Sequence, residues 1–569
     1  MPRGARTLRI SRMLQSVSTC IFLFAAIHAQ QVSFADISPS EDDALQRDAP
    51  YIFNSVNSLL RQWGNTLAPN GFSFTVATIP AGTTLYHGRK DANDPPSPEW
   101  FAFDAEMSYA IMGGRGGTTF LRTYRTTRAL GPLLYLDGLS AALTTSGTLD
   151  GQNILIDGYV DDRGSFNDYT RAQRLCAEVA PLIGVEGFVR MNAGFELIWC
   201  DWSTGVELVL NNNVTHWAPI FNASQPGGFP PPPDSPEWNR TRRPWETDNG
   251  VDGLFAAHQA VLDDPEPEFP PPPDFPPGHP PGRRPPGRPP HDGGGGWRRS
   301  PFVEYLNWEW LRSATAVYDG AGEMRLQLIP SSFVSAYGRT GLNLSSSDPT
   351  QHRLTNASLA QVEALRIQSD VATAVADVLV GHISDTDWRG VTDQVVNRYG
   401  RRLPELHALL RNGTEDAVQQ ARFSLASLLM PFFQPTQSRA TNVDTCSRAF
   451  VYGLDSLSHR ENKILQAVLL VQRDICDVLL TMRDDFFSAT GSESHLPQVP
   501  ADTLELHAEN LLQLMSRLRW HMWVQCDEHC SYAEVCYIEI WPLRLGGRPG
   551  PPGRDRSEVK PICAGYVDK

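Results

Sequence analysis

The sequence predicts an α+β protein in three parts: an N-terminal mixed α/β domain carrying a Pro-rich disordered insertion, a helical-bundle domain, and a disulfide-rich C-terminal tail. Three observations carry this expectation. Short β-rich runs separated by Gly, Pro and Asn turns fill residues 50–224. From residue 356 apolar residues recur at spacings of three and four, the helical period. Cys526, Cys530, Cys536 and Cys563 crowd into residues 526–569. Of the 569 residues, 41% are hydrophobic and 20% charged, enough apolar material for a substantial core.

Residues 1–35 read as a secretory signal peptide. Arg3, Arg6, Arg9 and Arg12 form a positive head, Cys20–Ile27 a short apolar middle, and Ala29 or Ala35 ends the segment at a small residue suited to cleavage. An uncleaved N-terminal anchor is the alternative. The apolar stretch is short for a membrane span, and no later stretch reaches the ~18 apolar residues that a span needs, so a multi-pass membrane protein is excluded.

In the first block the strand candidates are Phe72–Thr78, Thr83–His87, Leu133–Leu136 and Phe195–Cys200, with a helix over Tyr169–Ile183 presenting Leu175, Val179 and Leu182. Residues 225–300 break the pattern. Of the 45 prolines, 21 fall between Pro226 and Pro290, and Phe-Pro-Pro-Pro-Pro-Asp occurs at 229–234 and again at 269–274. Such composition buries too little apolar surface to offset chain entropy, so a disordered or polyproline spacer is expected. Residues 301–350 form an aromatic-rich segment with strand-like alternation at Met324–Ile329, which either completes the first domain or begins a second.

The helical domain spans 356–525. A capping box at Ser358-x-x-Gln361 precedes Val362, Leu365, Ala372, Val375 and Leu379. A second at Ser458-x-x-Glu461 opens a stripe of Ile464, Val468, Val471, Ile475, Val478 and Met482, and Leu504 to Met522 repeats the spacing. Two such seams in succession predict antiparallel helices.

Outside the leader the cysteines number eight: Cys176, Cys200, Cys446, Cys476, Cys526, Cys530, Cys536 and Cys563. An even number fits four disulfides in an oxidising compartment. Proximity favours Cys176–Cys200, Cys446–Cys476 and two bridges within the last four. Cys526, His529, Cys530 and Cys536 also have the ligand types of a zinc site, but thiols in an oxidising compartment pair instead. Six N-x-S/T sequons, at Asn213, Asn222, Asn239, Asn343, Asn356 and Asn412, add glycosylation to the expectation of export. The net charge of −15 argues against nucleic acid as partner.

H-E-x-x-H, G-x-S-x-G and Walker A motifs are absent, and Gly113–Thr118 is a glycine-rich loop without the lysine a phosphate loop needs. One constellation remains. Thr84-Leu-Tyr-His87-Gly88 ends a strand, Trp100-Phe-Ala-Phe103 leads to Ser108-Tyr109, and Glu196 sits early in the apolar run Gly194–Cys200. Over residues 80–200 this set resembles the ADP-ribosyltransferase superfamily of the His–Tyr–Glu type, which includes the poly(ADP-ribose) polymerases. The resemblance implies NAD as cofactor. His87 would bind the adenosine ribose, Gly88 the nicotinamide amide, Phe103 or Tyr109 would stack on the nicotinamide with Ser108 nearby, and Glu196 would be catalytic. A fixed carboxylate there would stabilise the cationic sugar as nicotinamide leaves.

Two functions are therefore expected in order. The first is a secreted glycoprotein that binds an extracellular protein or carbohydrate without catalysis, with Trp297, Trp308 and Trp310 as exposed contacts. The second is a secreted NAD-binding ADP-ribosyltransferase-like enzyme, active or degenerate.

Overall fold

The computed structural model describes residues 40–113, 117–144, 147–160, 167–216, 301–339, 342, 352–353, 357–454, 457–487, 498–527, 529–543 and 560–565. The expected leader, the 225–300 insertion, Trp297 and the sequons at Asn222, Asn239, Asn343 and Asn356 lie outside these residues.

The described residues open with α1 (Ser40–Asn57) and α2 (Gln62–Leu67). The strands β1 (Ser73–Ile79), β2 (Thr84–Arg89) and β3 (Glu99–Ala102) then lead into α3 (Ala105–Gly113). β4 (Phe120–Thr126), β5 (Leu130–Leu136), α4 (Asp150–Asp157) and α5 (Asp168–Arg174) follow. β6 (Gly187–Asn192), β7 (Gly194–Trp199) and β8 (Val206–Asn213) end the first stretch. After α6 (Pro301–Ala314) comes β9 (Gln327–Ser335).

These nine strands form one sheet in the order β8-β4-β2-β3-β7-β6-β5-β1-β9, antiparallel except for β5 and β6. The parallel pair needs a crossover, which α4 and α5 supply. β6 and β7 are buried along their whole length. Strands covered on both faces lose the alternation that marks a half-exposed strand, which is why Gly187–Asn192 does not announce itself in the sequence.

The remaining helices are α7 (Ala357–Leu379), α8 (Trp388–Tyr399), α9 (Arg402–Asn412), α10 (Glu415–Leu429), α11 (Arg439–Ser447), α12 (His459–Phe487) and α13 (Ala501–Leu518). The tail carries a two-stranded ribbon, β10 (Glu534–Tyr537) and β11 (Ile562–Gly565). The sheet region and the helices share a continuous apolar core. α7 and α12 pack on β9, and α1 packs between α8 and α12. The capping box that opens α12 is formed: Glu461 N–H donates to Ser458 Oγ at 3.2 Å, and Ser458 N–H donates to the Glu461 carboxylate at 3.1 Å.

The eight cysteines among the described residues stand in four disulfide pairs: Cys176–Cys200, Cys446–Cys476, Cys526–Cys536 and Cys530–Cys563. The first joins the α5 extension to the end of β7, the second joins α11 to α12, and the last two staple the tail ribbon. Among the described residues no helix is long and apolar enough to cross a membrane.

Three local expectations are corrected. The aromatic-rich segment opens as helix α6, not as a strand, and Trp308 and Trp310 are only 4% and 3% exposed. Helical spacing turns them inward, and Trp310 Nε1–H donates to the Ala193 carbonyl. They cannot serve as surface contacts. In the helix over 169–183, Leu182 is 57% exposed because a π-helical turn at Leu175–Val179 inserts a residue per turn and rotates Ile183 into the core instead. In α7 Val375 of the expected stripe is buried, but Val362, Leu365 and Leu379 are exposed and Ala364, Ile367 and Val371 are buried instead.

Candidate functional site

Strand register decides where the residues of the expected NAD site stand. Tyr86 lies opposite Ala102 on β3, and Ala102 lies opposite Glu196 on β7. Residues directly opposite in antiparallel pairs share a face, and neighbours along a strand alternate faces. Glu196 therefore shares a face with Tyr86, and His87 projects from the other. The register thus sets His87 and Glu196 on opposite faces of the sheet.

On its own face Glu196 belongs to a buried ion network. Arg190, opposite it on β6, donates from Nε to Glu196 Oε1 at 2.9 Å. The same guanidinium reaches both oxygens of Asp168 at 2.7 Å and Gln152 Oε1 at 2.9 Å, and Arg171 adds a contact to Asp168 at 3.2 Å. Burial pushes the Glu196 carboxyl upward against the pull of Arg190. For Asp168 burial is outweighed by the two guanidiniums, and its carboxyl is held below the usual range. This carboxylate pair neutralises and orients two buried arginines.

The other residues of the set are packed as follows. A side chain at Gly88 would place its Cβ 2.5 Å from the Ser108 carbonyl oxygen, so glycine lets α3 lie directly on β2. Phe103 is fully buried with the Arg325 guanidinium 5.2 Å from its ring centre. Tyr109 packs half-buried at the edge of the core. The three tail sulfurs of Cys526, Cys530 and Cys563 lie within 4.8 Å of one another, but each is engaged in a disulfide and has no thiolate to offer a metal.

A cleft among the described residues lies elsewhere. It has a volume of about 100 Å³ and opens between α1, α2, the end of β5 and the segment after α13. Tyr51 on α1 stacks on Tyr337 with ring centres 5.2 Å apart and planes 12° apart, and His352 meets the Tyr51 ring edge-on at 5.5 Å. Arg519 crosses the Tyr51 ring, its guanidinium carbon 5.7 Å from the centre. Among the described residues Arg519 has no carboxylate partner, and its backbone is left-handed at φ 49° where it terminates α13. Asn54 holds that terminus in place by donating to the Leu518 carbonyl at 2.8 Å.

Asp137 forms the cleft floor. Its carboxylate accepts from Ser73 N–H at 2.6 Å, and burial pushes it up to about 7. Gly71 permits this floor, since a Cβ there would sit 2.1 Å from the Asp137 carbonyl oxygen. His521 closes the far side, 3.6 Å from Asp319. An aromatic wall, a cation at the mouth and a buried carboxyl at the base can hold a small polar molecule by stacking, charge and hydrogen bonds. The sequence gives no local signal for this site, because its residues come from segments near 51, 71, 137, 337, 352 and 519.

Comparison with known proteins places these features in a wider set. The model of the YPL277C N-terminal domain family matches residues 44–116 and 111–232, which include α1 and strands β1 to β8. Over 565 aligned residues the chain is 24% identical to the uncharacterized protein YOR389W of Saccharomyces cerevisiae, covering 87% of this chain and 82% of that protein. It is 26% identical to the uncharacterized protein YPL277C of the same yeast over 439 residues, covering 68% of this chain and 80% of the relative. No solved structure matches significantly.

Proposed function

We propose that this protein is a secreted glycoprotein that binds, without transforming, a small hydroxylated anion such as a sugar acid in the Tyr51–Arg519 cleft. The observation that carries the reading is Arg519: a guanidinium without a carboxylate partner among the described residues, held over an aromatic ring in a cleft with a largely apolar lining. Its charge would meet a carboxylate, the Tyr51 and Tyr337 rings would cover an apolar sugar face, and Asp137 would meet hydroxyls. The leader, the paired cysteines and the sequons support the secretory location. Asn213 and Asn412 are exposed, as acceptors for glycan must be.

The separation of His87 from Glu196 weighs against the NAD-dependent transferase alternative. A thermal-shift panel of neutral sugars, sugar acids and NAD tests both readings on the glycosylated protein. Stabilisation by a sugar acid in wild type, lost in Arg519→Gln, is expected; a ligand in hundredfold excess over Kd adds about 2.7 kcal/mol. Stabilisation that survives Arg519→Gln, or none with any sugar acid, refutes the cleft. An NAD shift lost in both His87→Ala and Glu196→Ala restores the transferase.

A further inference from the structure

His87 has a role on its own face of the sheet. It lies opposite Arg122 on β4, and Arg89 follows two residues later on the same face of β2. His87, Arg89 and Arg122 are all buried. Two guanidiniums and an imidazole thus converge beneath one covering segment, Asp91–Pro98, which links β2 to β3.

That strap satisfies the arginines in the way an anion would. Arg89 donates to both carboxylate oxygens of Asp91, at 2.9 Å and 3.3 Å, and its Nη1 lies 3.5 Å from the buried Glu99 carboxylate at the start of β3. Arg122 pairs with Asp94 at 3.3 Å and donates to the Ala92 carbonyl. The Asp94 side chain is 92% exposed whereas that of Arg122 is 1% exposed, so the carboxylate reaches inward from solvent. At its other end the strap is held by a hydrogen bond from Trp202 N–H to Ser97 Oγ at 2.8 Å.

The satisfaction is incomplete. Arg122 Nε, Arg89 Nη1 and His87 Nε2 are buried without a hydrogen-bond partner, as is the Glu99 Oε2 that faces Arg89. His87 Nδ1 lies 2.7 Å from the Trp100 carbonyl. A carbonyl only accepts, so Nδ1 carries the proton and Nε2 presents a lone pair. Burial, which holds His87 down to about 3, keeps that lone pair available at neutral pH. The cluster therefore asks for a ligand with anionic oxygens for two guanidiniums and one O–H for an imidazole.

We infer that His87, Arg89 and Arg122 form a binding site for a hydrogenphosphate group, kept shut by Asp91 and Asp94 of the strap acting as internal counter-ions. Phosphate ion and phosphate monoesters share this chemistry. Sulfate carries the same charge but no proton at neutral pH, so it cannot serve His87 Nε2. The site stands apart from the Tyr51–Arg519 cleft and does not depend on it.

Isothermal titration at pH 6.5 with inorganic phosphate, methyl phosphate and sulfate tests the proposal on the full chain. The double variant Asp91→Asn/Asp94→Asn is expected to bind phosphate at least tenfold more tightly than wild type and at least fivefold more tightly than it binds sulfate. Adding Arg89→Gln is expected to abolish the gain. Methyl phosphate binding as tightly as phosphate assigns the site to monoesters, and weaker binding assigns it to the free ion; either supports the site. Phosphate affinity within twofold of wild type, equal affinity for sulfate, or a gain that survives Arg89→Gln overturns it. Should the double variant lose its fold by circular dichroism, Asp94→Asn alone, at an exposed side chain, must give a gain of at least threefold or the proposal fails.

Discussion

Arg190 holds Asp168 with two hydrogen bonds of 2.7 Å while its Nε donates to Glu196 at 2.9 Å, so one buried guanidinium ties β6, β7 and α5 together. Glu196→Ala leaves Arg190 paired with Asp168 and removes its charged hydrogen bond, so it is expected to lower urea stability by about 1.5–3 kcal/mol. His87→Ala acts on the opposite face with no shared partner, so the double variant should show additive losses within about 0.5 kcal/mol. A coupling well above that would place the two side chains in one site after all.

Asp137 gives the fold a pH dependence of uncommon sign. Its folded carboxyl is raised to about 7, whereas in the unfolded chain an aspartate titrates near 3.9. Between those values the folded state binds the extra proton, so stability falls as pH rises from about 4 to 7 and stays lowered above that. Asp137→Asn, which keeps an oxygen for Ser73 N–H, should raise the unfolding temperature at pH 8 and change it little at pH 4. Melting curves at both pH values check this, and equal shifts at both would contradict it.

Glycosylation at the two exposed described sequons is directly measurable. Secreted from a eukaryotic host, the chain should lose one glycan mass in each of Asn213→Gln and Asn412→Gln on intact mass spectrometry. Asn213 Oδ1 accepts from Thr215 Oγ1 at 2.5 Å, the two polar residues of the sequon already facing each other.

The Cys446–Cys476 bridge closes a loop with a sequence separation of 30. Chain-entropy arguments assign such a bridge about 3–4 kcal/mol. Cys446→Ser/Cys476→Ser should lower the urea midpoint accordingly, because α12 is the longest helix of the described core and packs on α1 and β9.

Much of the frame is readable from pattern. The stripe from Ile464 to Met482 carries its burial in its spacing, whereas the β-rich runs at Phe74 and Leu133, buried nearly throughout, are legible by composition. What escapes is non-local. β6 lacks alternation because both its faces are covered, and the π turn before Ala180 shifts a register that spacing alone treats as regular. His87 and Glu196 look like partners in a list of residues, yet their separation follows from cross-strand register, which no single segment contains. The cleft is hidden for the same reason, since Tyr51 and Arg519 meet only after the first and last helices pack.

β9 reaches β1 only after about 250 intervening residues have been made. At ~5–20 residues per second, the ribosome takes about 12 to 50 s to deliver it. Until then β1 has β5 on one side and nothing on the other. An open strand edge is a template for pairing with another chain. The nascent protein therefore passes through a long interval in which its apolar strand Ser73–Ile79 must be shielded, and chaperone supply during synthesis becomes a determinant of its yield.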